Sequence, residues 1–155
     1  MKGELIMKHL IATLLFFSSF ALWSCPSIGA SGASLIYDSQ ELYAPKRHDV
    51  IAGGGENLSN CYDLPGTGWV AYSPDFELDF EQLKPVRELE MRVDSDCDSV
   101  LLVNGPAGNW FHDDDSNGSL NPKIRFTNAP NGIYDIWIGT YDGEYCDAVL
   151  TLETF

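Results

Sequence analysis

The sequence predicts an all-β fold, an antiparallel β-sandwich of jelly-roll type with about seven strands. Three observations carry this. Apolar residues recur at every second position in several short segments. Gly, Pro, Asn and Asp cluster between those segments, where chain reversal needs them. After residue 30 no segment carries the 3.6-residue apolar stripe of a helix.

The strands follow in order from Trp69. Phe76, Leu78 and Phe80 alternate with Asp75, Glu77, Asp79 and Glu81, which gives one buried and one wet face. Leu89, Met91 and Val93 repeat the pattern against Glu88, Glu90, Arg92 and Asp94. The unbroken apolar run Val100 to Val103 suits a central strand. Asn104-Gly105-Pro106 starts a turn, and Trp110-Phe111 resumes an extended stretch. Ile124 and Phe126 alternate with Lys123 and Arg125. After the turn Ala129-Pro130-Asn131-Gly132, Tyr134, Ile136 and Ile138 share one face and Trp137 takes the other. Asp142-Gly143-Glu144 turns the chain into Ala148, Leu150 and Leu152, the closing strand.

The beginning of the chain reads differently. Lys8 and His9 precede an apolar and hydroxyl run from Leu10 to Trp23, followed by small residues. This is the layout of a secretory signal over residues 1–30, cut after Ala30 or Ala33. The run is too short for a membrane span. Leu22-Trp23-Ser24-Cys25 resembles a lipobox, with Trp a poor fit at its second position, so a lipid anchor at Cys25 is the weaker alternative. Residues 31–65 read as a flexible leader with one strand around Leu35-Ile36-Tyr37, and Gly53-Gly54-Gly55 as a flexible link. Residues 66–155 form the predicted sandwich. The expected location is periplasmic or secreted.

Removal of residues 1–30 leaves 7 basic and 22 acidic residues, a net charge of −15. Such a surface repels nucleic acid and anionic membranes and attracts cations. Of the remaining cysteines, Cys97 and Cys146 each sit in an acidic turn just before an apolar strand, and an exported protein is expected to pair them. Cys61 pairs with Cys25 if Cys25 is retained, or stays free.

Asp113-Asp114-Asp115-Ser116-Asn117-Gly118 matches the first half of an oxygen-ligand calcium loop. An EF-hand would place Glu where Ile124 stands, so the loop is not an EF-hand. The expected calcium ligands are Asp113, Asp115, Asn117 and the Ser119 carbonyl, with Asp98 from a neighbouring turn; the alternative is an Asx-rich turn. His48 and His112 are the histidines after residue 30. His112 and Asp113 are adjacent on a strand and point to opposite faces, which argues against a catalytic dyad. No enzyme activity is expected. Trp110, Trp137 and Tyr141 are candidates for stacking on a sugar ring or anchoring a partner; the alternative is that both faces of the Trp137 strand are buried in the sandwich centre.

The stretch Cys97 to Pro106, followed by Gly108-Asn109-Trp110, the acidic loop, Leu120-Asn121-Pro122-Lys123-Ile124 and Gly132 to Tyr141, resembles the bacterial pre-peptidase C-terminal domain over about residues 66–155. The resemblance implies an exported, non-catalytic β-sandwich that binds calcium or a protein or matrix partner. A carbohydrate-binding module is the second expectation, and a small carboxylate-dependent hydrolase the third.

Overall fold

The computed structural model describes residues 24–155. It is an all-β sandwich of two packed sheets, with helical structure confined to two 3-10 turns, Glu41–Tyr43 and Leu58–Asn60. Most of the predicted signal segment lies outside the described residues. The strands, in chain order, are β1 (Ala33–Asp38), β2 (Lys46–Ala52), β3 (Glu56–Asn57), β4 (Trp69–Val70), β5 (Phe76–Glu81), β6 (Leu89–Ser95), β7 (Ser99–Asn104), β8 (Trp110–Asp113), β9 (Lys123–Phe126), β10 (Gly132–Thr140) and β11 (Cys146–Thr154).

The seven-stranded sheet is organised around β10. One edge of β10 pairs with β7, which pairs with β8; its other edge pairs first with β5 and then, at Thr140, with β4. β1 runs parallel to β5, and β3 closes the β4 end. The four-stranded sheet has the order β2-β11-β6-β9 and is antiparallel throughout.

The alternation read from sequence sets the inner faces. Phe76, Leu78, Phe80, Leu101, Val103, Tyr134, Ile136 and Ile138 meet Leu89, Met91, Val93, Ala148, Leu150 and Leu152 in one core. Each fully buried Val, Leu, Ile, Phe or Met among them stabilises the fold by roughly 1.5–3 kcal/mol. A second, smaller core covers the opposite face of the large sheet. It holds Leu58, Val70, Val100, Leu102 and Trp137, with Leu64 and Trp110 packed against it. β7 and the second half of β10 are thus buried on both faces, which is why they read as near-continuous apolar runs.

Two expectations are corrected. Residues 31–65 are not a flexible leader: β1 pairs with β5 over six residues and β2 with β11 over seven. The glycine triplet is not a flexible link either. A Cβ at Gly54 would lie 2.0 Å from the Val70 carbonyl carbon, and Gly53 takes a left-handed φ of 120° while its N–H donates to the Ile138 carbonyl. The backbones cross there so closely that only glycine fits.

Candidate functional site

The outer face of the four-stranded sheet divides into two electrostatic halves, and register explains why. Antiparallel partners share a face. Successive rows across β2, β11 and β6 therefore read Ile51 and Asp147; then Asp49, Val149 and Asp94; then Arg47, Thr151 and Arg92; then Glu153 and Glu90. The lower rows are internally neutralised. The Arg92 guanidinium bonds Glu90 at 2.9 Å and Glu153 at 2.6 Å, and Arg125 bridges Glu88 and Glu90 at 3.2 and 2.9 Å. Those carboxylates also hold the Arg92 guanidinium protonated above its usual range, against the opposing cost of burial, the largest single effect.

The upper rows are not neutralised. Asp49, Asp94, Asp96 and Asp147 line an open groove of about 920 Å³ together with Ile51 and Val149. Asp94 has a loose contact with Arg47 at 3.6 Å, both ends half exposed. Among the described residues, no ion pair engages Asp49, Asp96 or Asp147, and all three are exposed. Ile51, beside Asp147 in register, is 56% exposed. Apolar contact and uncompensated negative charge therefore coincide at one end of this sheet face.

The acidic loop flanks this groove, and most of its side chains are used internally. The Asp113 carboxylate accepts from the Ser116 amide (2.9 Å), the Ser116 hydroxyl (2.6 Å) and the Lys123 amide (2.8 Å). Asn117 Nδ2 donates to the Val93 carbonyl at 2.9 Å and to Asp94 at 3.3 Å. Ser119 and Leu120 both take left-handed φ values, 54° and 61°, and the Ser119 carbonyl accepts from Asn121. Among the described residues, no three His, Cys, Asp or Glu side chains are grouped closely enough to hold a metal ion. Of the expected calcium ligands, the carboxylates Asp98, Asp113 and Asp115 are thus not gathered around one point. Asp98 lies in the field of Asp115, Asp114 and Asp142: burial first, and then repulsion from those three, pushes its carboxyl above the usual carboxylate range.

Sequence reasoning overlooked Asn121, the hub of this end. Its buried Oδ1 accepts from the Ser95 amide, the Ser95 hydroxyl and the Ser99 hydroxyl at 3.1, 2.7 and 2.9 Å. Asn121 entered the sequence reading only as part of a family resemblance, and the two serines that converge on it carried no local signal. Cys97 is bonded to Cys146 beside it, joining the β6–β7 turn to the start of β11.

The aromatic candidates separate. Trp137 is fully buried and cannot stack on a ligand, a correction to the expectation. The loop from Leu58 to Gly68 covers it, closed by the Leu58 amide on the Gly68 carbonyl and pinned by the His112 ring, whose Nε2 lies 2.9 Å from the Thr67 carbonyl. Trp110 is half-buried with its ring 5.3 Å from that of Trp137. Tyr141 is 54% exposed and available.

The most perturbed carboxylate is structural. Along β10 the partner strand changes from β5 to β4, which leaves Ile138 in the gap. Asp75 Oδ2 accepts the Ile138 amide at 2.7 Å, and burial raises its pKa from 3.8 to about 6.

No family model matches the chain, and no curated protein matches it. Among solved structures it is similar to PliG of Aeromonas hydrophila, a periplasmic inhibitor of g-type lysozyme, at 9% identity and a TM-score of 0.46, over 81% of this chain and 99% of that one. A likeness this distant fixes neither a family nor a partner.

Proposed function

We propose that this chain is an exported, non-catalytic binding module that engages a cationic protein through the acidic half of its four-stranded sheet. One observation carries the reading: exposed Ile51 and half-buried Val149 lie among Asp49, Asp94, Asp96 and Asp147, whose charge is largely uncompensated. Uncompensated carboxylates steer a basic partner toward the surface, and the apolar residues give contact area once it arrives. Two disulfides support an oxidising, extracytoplasmic location. The sugar-binding alternative is weakened by the burial of Trp137.

Calcium enters this reading as a stabiliser. Burial first, and then repulsion from Asp115, Asp114 and Asp142, disfavours the Asp98 carboxylate, and a divalent cation that drew the loop carboxylates toward Asp98 would relieve that repulsion.

The test is calorimetric titration of the exported domain with purified, strongly basic exported proteins, with a size-matched acidic protein as control. Binding that weakens steeply with salt, and drops at least about tenfold in the Asp49→Asn/Asp96→Asn/Asp147→Asn triple variant, supports the reading. Equal affinity of variant and parent refutes it.

A further inference from the structure

The segment ahead of β1 is tied into the fold as far back as Cys25. Cys25 is disulfide-bonded to Cys61, with Cα atoms 5.8 Å apart. Pro26 is buried, and the Ser27 amide donates to the Tyr72 carbonyl at 2.9 Å. The Gly32 amide donates to Glu77 Oε2 at 3.0 Å, and the Ala33 amide to the Asp75 carbonyl at 2.9 Å. A Cβ at Gly32 would lie 2.6 Å from the Pro74 carbonyl oxygen, so the segment lies directly against the β5 entry. Cys61, 5% exposed, belongs to the loop that covers Trp137. Cys25 is therefore the second tether of that loop, beside the His112 pin.

These contacts conflict with a signal cut after Ala30 or Ala33. Either cut would discard Cys25 and Pro26 and leave Cys61 as an unpaired buried thiol in an oxidising compartment. They conflict equally with a lipid on Cys25, because a thioether and a disulfide use the same Sγ.

We propose that export processing hydrolyses the chain ahead of Cys25, between Ala21 and Leu22, and that Cys25 persists in the mature protein as the disulfide partner of Cys61. Ser19-Phe20-Ala21, near the end of the apolar run, supplies the small-x-small triplet that a signal peptidase requires. Hydrolysis consumes one water and releases residues 1–21. Disulfide formation then removes two protons and two electrons from the thiols of Cys25 and Cys61, and a disulfide-bearing oxidant of the export compartment takes them up as its own dithiol. Processing and tethering are thereby linked: the position of the cut decides whether the Leu58–Gly68 loop is held by one tether or two.

The experiment is intact-mass measurement of the exported product of the full chain, with cysteine alkylation before and after reduction. The expected product begins at Leu22, carries no lipid mass and takes up no alkylating agent until it is reduced, after which it takes up four equivalents. A start at Ser31 or Ser34, an uncut start at Met1 or Met7, or a lipid-bearing Cys25 would overturn the proposal. Cys61→Ser gives a second readout: the proposal requires one new alkylatable thiol, mapped to the Cys25 peptide. Absence of that peptide from the mature variant also overturns it.

Discussion

Asp75 offers a quantitative test of how the large sheet is held together. Its carboxylate accepts the Ile138 amide where β10 changes partner strand, and burial raises its pKa from 3.8 to about 6. Between those values the folded state holds a proton that the unfolded state has lost. Stability from this group is therefore complete below about pH 4 and is lost as pH rises through about 6. Each tenfold change in proton affinity is about 1.4 kcal/mol, so the loss by pH 7 approaches 3 kcal/mol as an upper bound. Asp75→Asn keeps an oxygen to accept the amide and removes the ionisation. It should be more stable than the parent at pH 7 by about 1–3 kcal/mol, and the gap should close toward pH 4. Asp75→Ala leaves the Ile138 amide without that acceptor and should cost about 1–3 kcal/mol relative to Asn at every pH. Urea unfolding at pH 4, 5, 6 and 7, with disulfides intact, measures all three. A difference between parent and Asn variant that does not change with pH would refute the argument, and so would an Asn variant that falls as far as the Ala variant.

Other positions follow from the same structure. Gly54→Ala forces a Cβ onto the Val70 backbone, and it should abolish folding or cost more than about 3 kcal/mol by chemical denaturation; a cost under about 1 kcal/mol contradicts the close crossing. The Cys97→Ser/Cys146→Ser double variant opens a link across 49 residues and should lose up to about 4 kcal/mol; an unchanged denaturation midpoint would show that the link adds nothing. Calcium should raise the melting temperature saturably against a chelator control, and Asp115→Asn should remove most of the rise. No rise in the parent removes calcium from the account.

The strands easiest to read in the sequence were those with one apolar face. Phe76, Leu78 and Phe80 in β5, and Leu89, Met91 and Val93 in β6, state their burial by alternation alone. β2 escaped notice because Lys46, Arg47, His48 and Asp49 look like a charged leader; its inward residues gain meaning only through pairing with β11, about a hundred residues later. β1 was identified only as a weak strand, since a parallel partner leaves no hairpin signal. Trp137 stayed ambiguous between stacking and burial for a related reason. The outer face of a sheet reads as surface until something covers it, and the cover is the irregular Leu58–Gly68 segment. The apolar runs of β7 and β10 on both faces were the available clue. The acidic loop was visible as a motif, but the hydrogen bonds that occupy Asp113 and Asn117 depend on Ser116, Lys123 and Val93 in three dimensions. The acidic groove was not visible at all, because Asp49, Asp94 and Asp147 come from three separated strands.

The central claim is that the acidic half of the four-stranded sheet is a binding face, and charge-matched variants test it most directly. The Asp49→Asn/Asp96→Asn/Asp147→Asn variant removes three charges from the groove. Asp63→Asn/Asp79→Asn/Glu81→Gln removes three exposed charges elsewhere. Titration of each against the same basic protein at low and moderate salt separates a site from net charge. The account predicts at least about a tenfold loss of affinity for the groove variant and a small loss for the other. Equal losses in the two variants would contradict it and reduce the attraction to overall charge.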